Sequence, residues 1–427
     1  MTSGQDDTGI LAGDDRMLID GQLQHTSSGA TFDVIHPGSE EIVGLATDGT
    51  VSDMERAIGA ARRTFDTTEW SRDVEFRYHC LIQLHEALTR NMERLRRIVV
   101  TEVGCPIGVT RSQIEEPIDE VKHWADYGRN FDYLQDTGTH PTVMGPARRL
   151  LHFDPVGVVG AITPWNVPFY LNIAETMPAL MAGNTVVLKP AQLTPWSGSE
   201  LGRIVAEETD IPPGVFNVVL SNANEVGAAL SADPRVDMIT FTGSTATGRA
   251  ILAAAAPTVK KTMLELGGKS AHIVLDDADL DASLPMAAVM ACVMSGQSCI
   301  LPSRILLPRS RYDEGIAVLK ATMESFPVGD PWVPGNMQPP DQRNPASEGT
   351  RPDHRRCRIR RHPHHRRRHS GEPAHGLLHA ADSVGRRRSR LQNRARGNLR
   401  PGPDRDRLRH RRRGHCDRQQ LDLRPVR

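Results

Sequence analysis

From residue 150 onward, short apolar runs alternate with stretches of helical periodicity, and this alternation restricts the fold more than any other feature of the chain. The runs are Val156 to Ile162, Thr185 to Leu188, Val215 to Val219, Met238 to Phe241 and His272 to Leu275. Strands separated by helices pair in parallel through crossovers, so the expected fold class is α/β, built on a doubly wound parallel sheet. Ligands of such sheets bind beyond the carboxyl ends of the strands. The segments just past those ends are Thr163-Pro164-Trp165-Asn166, Lys189-Pro190-Ala191-Gln192 and Thr242-Gly243-Ser244-Thr245-Ala246-Thr247-Gly248. Gly243 and Gly248 would let backbone approach a pyrophosphate at the start of the next helix, where unpaired N–H groups and the helix dipole favour anions. Their spacing is Gly-x4-Gly, not Gly-x-Gly-x-x-Gly, so a simple turn explains this stretch equally well when it is taken alone.

Before residue 150 the pattern is mixed. Residues 1–16 are polar and expected to be loose, and Met17 to Asp20 and Thr31 to Ile35 read as short strands. Ser52 and Glu55 suggest a capping box for a helix with Met54, Ala57, Ile58, Ala61 and Phe65 on its apolar face. A longer helix is expected over Val74 to Val103, burying Leu81, Leu84, Leu88, Leu95 and Ile98.

The formal net charge of zero is a cancellation. Residues 341–427 carry 26 Arg, no Lys and 9 acidic side chains, a net of +17, which leaves −17 on residues 1–340. The same tail has no Phe, Tyr, Trp or Met and 9 of the 17 His, so it offers little to bury against the entropy of ordering. Six cysteines show no paired framework spacing, the N-terminus has no basic region followed by an apolar run, and no stretch is long enough to span a bilayer. These features predict a cytoplasmic chain with no membrane partner.

Two further segments carry chemistry: Leu264-Glu265-Leu266-Gly267-Gly268-Lys269 and Gly296-Gln297-Ser298-Cys299. Together with Trp165-Asn166, Lys189-Pro190 and Phe241-Thr242-Gly243-Ser244, in this order and spacing, they resemble the NAD(P)-dependent aldehyde dehydrogenases from about Met17 to Gln338. The resemblance implies that Cys299 is the nucleophile, that Asn166 and the backbone N–H of Cys299 hold the oxyanion, and that Glu265 is the general base. It implies a cofactor, NAD or NADP, surrounded by Ile162, Thr163, Pro164, Trp165, Lys189, Gln192, Gly243, Ser244, Gly248 and Leu266. Lys189 matches the position that contacts the adenosine ribose. Gln192 stands where NAD-preferring members often carry Glu and cannot repel a 2′-phosphate, so it leaves NAD and NADP both open. Taken singly, each of these residues has a plain structural reading, as a buried thiol, a solvated charge or a turn glycine. Cys80, Cys105, Cys292, Trp124 and Trp196 read as packing residues, and no metal is implied.

The family's chain is expected to continue past Gln338 with Gly-Pro-x-Ile-Ser, then Glu-Ile-Phe-Gly-Pro-Val, then Tyr-Gly-Leu-Ser. The tail has none of these, yet the Ile-Ser end of the first and the whole of the other two emerge when the last two bases of every codon are joined to the first base of the next. Asp341 to Gly349 then permits Ile-Ser-Glu-Thr-Gln-x-Gln-Lys-Val. Arg396 to Gly402 permits Glu-Glu-Ile-Phe-Gly-Pro-Val, and Gly414 to Val426 ends in Ser-Ile-Tyr-Gly-Leu-Ser. The tail therefore reads as an out-of-phase translation beginning near Gln338. Alternative readings are an Arg-rich segment that binds nucleic-acid phosphates, or a metal site at His362, His364, His365 and His369. No aromatic side chain interleaves the arginines for base stacking, and no Cys pair stands at zinc spacing, so neither is preferred.

The expected organisation is a disordered N-terminus (1–16), an NAD(P)-binding domain (17–125 and 153–263), an oligomerisation segment (126–152), the first part of a second α/β catalytic domain (264–338) and a disordered out-of-frame tail (339–427). The substrate expected from the resemblance is a small-molecule aldehyde, and the intact form is expected to be a homodimer or homotetramer. The chain as written is expected to be inactive or nearly so.

Overall fold

The computed structural model describes residues 11–336 and 422–426. The tail readings at residues 337–421, with their histidines, Cys357 and Cys416, lie outside the described residues, as do residues 1–10. The described chain forms two compact units: residues 11–266 with 328–336, and residues 267–327 with 422–426.

The first unit begins with β1 (Met17–Ile19), β2 (Gln22–Gln24), β3 (Thr31–Ile35) and β4 (Ile42–Thr47). Helices α1 (Val51–Thr67), α2 (Val74–Arg90), α3 (Met92–Val103) and α4 (Glu116–Arg129) follow, then a long hairpin of β5 (Leu134–Thr142) and β6 (Gly145–His152). The alternating part consists of β7 (Val158–Ile162), α5 (Pro168–Met181), β8 (Thr185–Lys189), α6 (Trp196–Glu208), β9 (Phe216–Val218), α7 (Asn224–Ala232), β10 (Met238–Gly243), α8 (Thr245–Ala255) and β11 (Lys261–Leu266). The sheet order is β11-β10-β7-β8-β9-β1-β2, with β7 to β11 parallel and β1 and β2 antiparallel at one edge. Helices α1, α7 and α8 cover one face, and α5 and α6 the other. Covered on both faces, β8 is buried at every residue, which is why its sequence reads as an unbroken apolar run rather than an alternation.

Several expectations are corrected. The capping box of α1 is Thr50 with Asp53, not Ser52 with Glu55: Thr50 Oγ1 accepts from the Asp53 N–H, and Asp53 Oδ2 accepts from the Thr50 N–H at 2.9 Å. The expected single helix over 74–103 breaks at Asn91, whose side-chain amide donates to the Ala87 carbonyl at 2.9 Å and so competes with the helical ladder. Residues 11–16, expected to be loose, are tied down: the Asp14 N–H donates to Glu200 Oε1 at 2.8 Å, and Ser199 Oγ donates to the Asp14 carbonyl at 2.5 Å. The buried Glu200 carboxylate is held in turn by Arg94 and Arg203, so polar side chains, not apolar ones, order this segment.

The second unit contains β12 (Ala271–Ile273), α9 (Leu280–Cys292), β13 (Arg304–Pro308), α10 (Tyr312–Glu324) and β14 (Asp422–Val426). The three strands form a parallel sheet in the order β12-β13-β14. Its core is Val274, Leu280, Leu284, Ala287, Ala288, Ile305, Leu307 and Leu319. Strand β14 corrects the expectation of a wholly disordered tail, because residues 422–426 pair along the whole of β13. A parallel ladder is made by backbone N–H and C=O groups, which any sequence supplies, and Pro425 is tolerated at a sheet edge. The boundary between the units also differs from that expected. Residues 264–266 finish β11, and residues 328–336 belong to the first unit, where the Ile107 N–H donates to the Pro331 carbonyl at 2.9 Å.

Candidate active site

The chain enters the parallel sheet at β7, moves outward through β8 and β9, then returns to the other side of β7 as β10 and β11. Winding therefore reverses between β7 and β10, the place where connections leave such a sheet in opposite directions and where its ligands generally bind. Two sequence-predicted segments line this place. Past β7, Thr163 is buried and its hydroxyl donates to Asn172 Oδ1 at 2.6 Å, while Pro164, Trp165 and Asn166 are half-buried in the link to α5. Past β10, Ser244 caps α8 by accepting from the Thr247 N–H at 3.1 Å, which turns the first N–H groups of the helix toward the same edge of the sheet.

The two glycines have a packing role besides. A Cβ on Gly248 would lie 2.9 Å from Leu266 Cδ2, so glycine lets α8 close on β11, and a Cβ on Gly243 would strike the Phe241 ring. Ile162 and Leu266, the last residues of β7 and β11, are half-buried at these strand ends. At the end of β8, Lys189 is buried with its Nζ 3.3 Å from the carbonyls of Pro190 and Ser221. Burial pushes its pKa down to about 8, with the carboxylate of Asp48 opposing the fall. Gln192 is exposed three residues on.

Glu265 lies on the edge strand β11, in register with Thr242 on β10. Residues in register on parallel strands point to the same face, so both side chains are directed toward the side covered by α5. That helix brings a residue the sequence reading passed over. The carboxyl of Glu175 accepts a short hydrogen bond from the Thr242 hydroxyl, and its second oxygen, Oε2, is buried with no hydrogen-bond partner. Burial raises the Glu175 pKa to about 7; the Thr242 and Thr240 hydroxyls pull it down, and the charge of Glu265 adds to the rise. A signal for it was present, since Glu175 is the only charged residue in the fourteen of α5.

Cys299 belongs to the second unit. After α9, Met294, Ser295 and Gly296 adopt φ values of 52°, 54° and 73°. Two successive non-glycine residues in the left-handed region store strain of about 1–3 kcal/mol each, which marks this turn as one held by its surroundings. The thiol of Cys299 follows three residues later, exposed and in no disulfide. Cys80 and Cys105, by contrast, are buried thiols pushed up to about 12, inert at neutral pH. Among the described residues no group of three or more His, Cys, Asp or Glu is arranged to hold a metal, and no helix is long and apolar enough to cross a membrane. Asn166, Ser244 and Glu265 thus lie at or just past the carboxyl ends of the neighbouring strands β7, β10 and β11 of the first unit, while Cys299 lies in the other unit.

The chain is thus of the two-domain α/β class, a doubly wound parallel sheet followed by a second α/β unit that bears an exposed cysteine. The family profile described as the aldehyde dehydrogenase family matches residues 24–344, and the chain belongs to that family. It is 40% identical over 317 residues to the 3-succinoylsemialdehyde-pyridine dehydrogenase of a Pseudomonas species, covering 73% of this chain and 64% of that protein. The mitochondrial succinate-semialdehyde dehydrogenase of Arabidopsis thaliana is 36% identical over 331 residues, covering 76% of this chain and 60% of the relative. Among solved structures, a mutant of aldehyde dehydrogenase C from Pseudomonas syringae, in complex with NAD+ and octanal, superposes with a TM-score of 0.70 at 34% identity. That match covers 78% of this chain and 66% of the other. The chain thus spans slightly less than two thirds of the length of the relatives it matches.

Proposed function

We propose that the intact form of this chain oxidises an aldehyde to a carboxylic acid, with NAD+ or NADP+ as the acceptor of hydride. One observation carries most of the weight. Within the first unit, the link holding Asn166, the start of α8 at Ser244 and the edge residue Glu265 all lie at carboxyl ends of neighbouring strands, where the winding reverses. The residues there suit a dinucleotide. The α8 N-terminus favours a pyrophosphate, Lys189 can turn its donors from two carbonyls to ribose hydroxyls, and Ile162, Thr163, Pro164, Trp165, Gly243, Gly248 and Leu266 border the same edge. Gln192 brings no carboxylate against a 2′-phosphate, which leaves both cofactors acceptable.

In this reading the Cys299 thiolate adds to the aldehyde carbon, and the side-chain amide of Asn166 and the backbone N–H of Cys299 meet the oxyanion of the thiohemiacetal. Bound cofactor supplies the hydride acceptor, which leaves a thioester on Cys299. Glu265 then takes a proton from water as its oxygen attacks the acyl carbon. The C–S bond breaks, and the carboxylic acid and the thiolate are released.

The proposal includes a change of reading phase near Gln338, supported by the family match ending at residue 344. It also assigns residues 126–152 to self-association as a dimer or tetramer, supported by the exposed Leu134, Val143, Met144, Leu150 and Leu151 of the β5–β6 hairpin. Cytoplasmic residence is supported by the buried thiols of Cys80 and Cys105. The test is to resequence the gene around the codon for Gln338 and assay the in-phase product. It should oxidise aldehydes with NAD+ or NADP+, and Cys299→Ala should lower turnover on the order of 10⁴-fold or more. Full turnover without the thiol, or robust turnover by the 427-residue chain itself, would overturn the corresponding part.

A further inference from the structure

Helix α5 is apolar on most of its surface, burying Phe169, Ile173, Met177 and Leu180, yet a line of polar residues runs along it at Asn172, Glu175 and Thr176. These stand three and four residues apart and so share one face. Asn172 accepts from Thr163 just past β7, and Glu175 accepts from Thr242 near the end of β10. Thr240 and Thr242 project to that same face because strand side chains alternate, and Glu265 stands beside Thr242 in register. The Thr242 hydroxyl is therefore held by one carboxyl, that of Glu175, and a second, exposed carboxylate, Glu265, stands in register on the next strand; Glu175 keeps an oxygen, Oε2, that is buried without a hydrogen-bond partner.

We propose that Glu175 is the proton-accepting partner of Glu265, receiving through Thr242 the proton that Glu265 takes from the hydrolytic water. The inference rests on the role given to Glu265 above. The proton balance is simple. Water loses a proton to the Glu265 carboxylate as its oxygen bonds to the acyl carbon. Glu265 then passes a proton to the Thr242 hydroxyl oxygen while the hydroxyl's own proton moves to Glu175, which ends as the neutral acid and later gives its proton to solvent. A carboxyl largely withdrawn from water suits this task, since burial disfavours its charged form. The groups around α5 leave Glu175 this partner. Thr240 and Thr242 face it from β10 and Glu265 from β11, while Glu120 on α4 is engaged by the Tyr170 hydroxyl. Arg77 on α2 is spent on the carbonyls of Met181 and Trp70, and Lys189 on β8 on those of Pro190 and Ser221.

The in-phase product can be tested in two ways. NMR of isotope-labelled glutamate carboxyls, with the Glu175 signal identified by its loss in Glu175→Gln, should show a titration midpoint far above those of exposed glutamates. That midpoint should fall in Glu265→Gln and in no surface glutamate variant; an unmoved midpoint overturns the pairing. In the second experiment Cys299 is acetylated with p-nitrophenyl acetate and the loss of the acetyl group is followed by mass spectrometry across pH. Glu175→Gln should slow the loss about ten-fold and shift the pH midpoint, Thr242→Val should do the same, and Thr242→Ser should restore the parent behaviour. Parent rates and midpoints in both Glu175→Gln and Thr242→Val sink the proton-acceptor role. Unchanged loss in Glu265→Gln sinks instead the reading of Glu265 as the base, whatever Glu175 does.

Discussion

The two sheets of this molecule are built from the same kind of unit, a parallel strand followed by a helix, and they differ in how much of themselves they cover. In the first unit, helices lie on both faces of a seven-stranded sheet, and buried apolar residues extend from Met17 to Ala255. In the second, two helices and three strands enclose eight buried residues, while Ile273, Leu275, Met286 and Ile300 stand out in solvent at 60% exposure or more. A parallel sheet earns stability only when both faces are dry. The first unit meets that condition from its own residues, and the second, among the described residues, does not.

Core substitutions give the largest effect that can break or sharpen this contrast. Phe169→Ala, at a fully buried side chain of α5, should cost about 3–5 kcal/mol and lower the main unfolding transition in urea. Leu284→Ala in the second unit removes an equally buried residue, yet it should leave that main transition in place and only raise hydrogen exchange in residues 267–327. If both substitutions shift the same transition equally, the units unfold as one and the comparison fails.

A gain of stability is expected next. The Glu175 pKa stands near 7 against an ordinary 4.5, so the folded state holds the proton that the unfolded chain releases. Stability contributed at this position is therefore full below about pH 4.5, falls as pH rises toward 7, and is flat above. Glu175→Gln removes that loss and should stabilise the first unit by up to about 3 kcal/mol at pH 8, and by almost nothing at pH 4. Equal effects at the two pH values would show that this carboxyl is not held neutral by its surroundings.

The smallest effect concerns the α1 cap. Burial alone would raise the Asp53 pKa, but the Thr50 N–H, the hydroxyls of Thr26 and Thr50 and the charge of Arg56 together hold it below its ordinary 3.8. Its contribution is therefore present above that value and lost as pH falls through the lower folded one. Thr50→Ala should cost about 1 kcal/mol at neutral pH, measured by urea unfolding, and should flatten the acid limb of the stability curve.

The same contrast explains what was legible in the sequence. The strands β7, β8 and β10 were readable because burial on both faces makes most of their residues apolar, and the winding of the sheet directs attention to the segments past their ends. The capping box was misplaced by two residues because Thr50-x-x-Asp53 and Ser52-x-x-Glu55 differ only in which carboxylate folds back. Glu175 escaped because a glutamate within a helix is ordinarily solvated. Its burial depends on Thr242, 67 residues away in the chain. The break at Asn91 also depends on a distant group, since Glu208 Oε1 accepts from its side chain at 2.8 Å.

Strand β14 carries a further implication. Its place beside β13 is secured by amide and carbonyl groups that every polypeptide possesses, so the ladder is blind to which codons were read to produce it. An edge seat of this kind selects among sequences only weakly, because the contacts that hold it are those of the main chain.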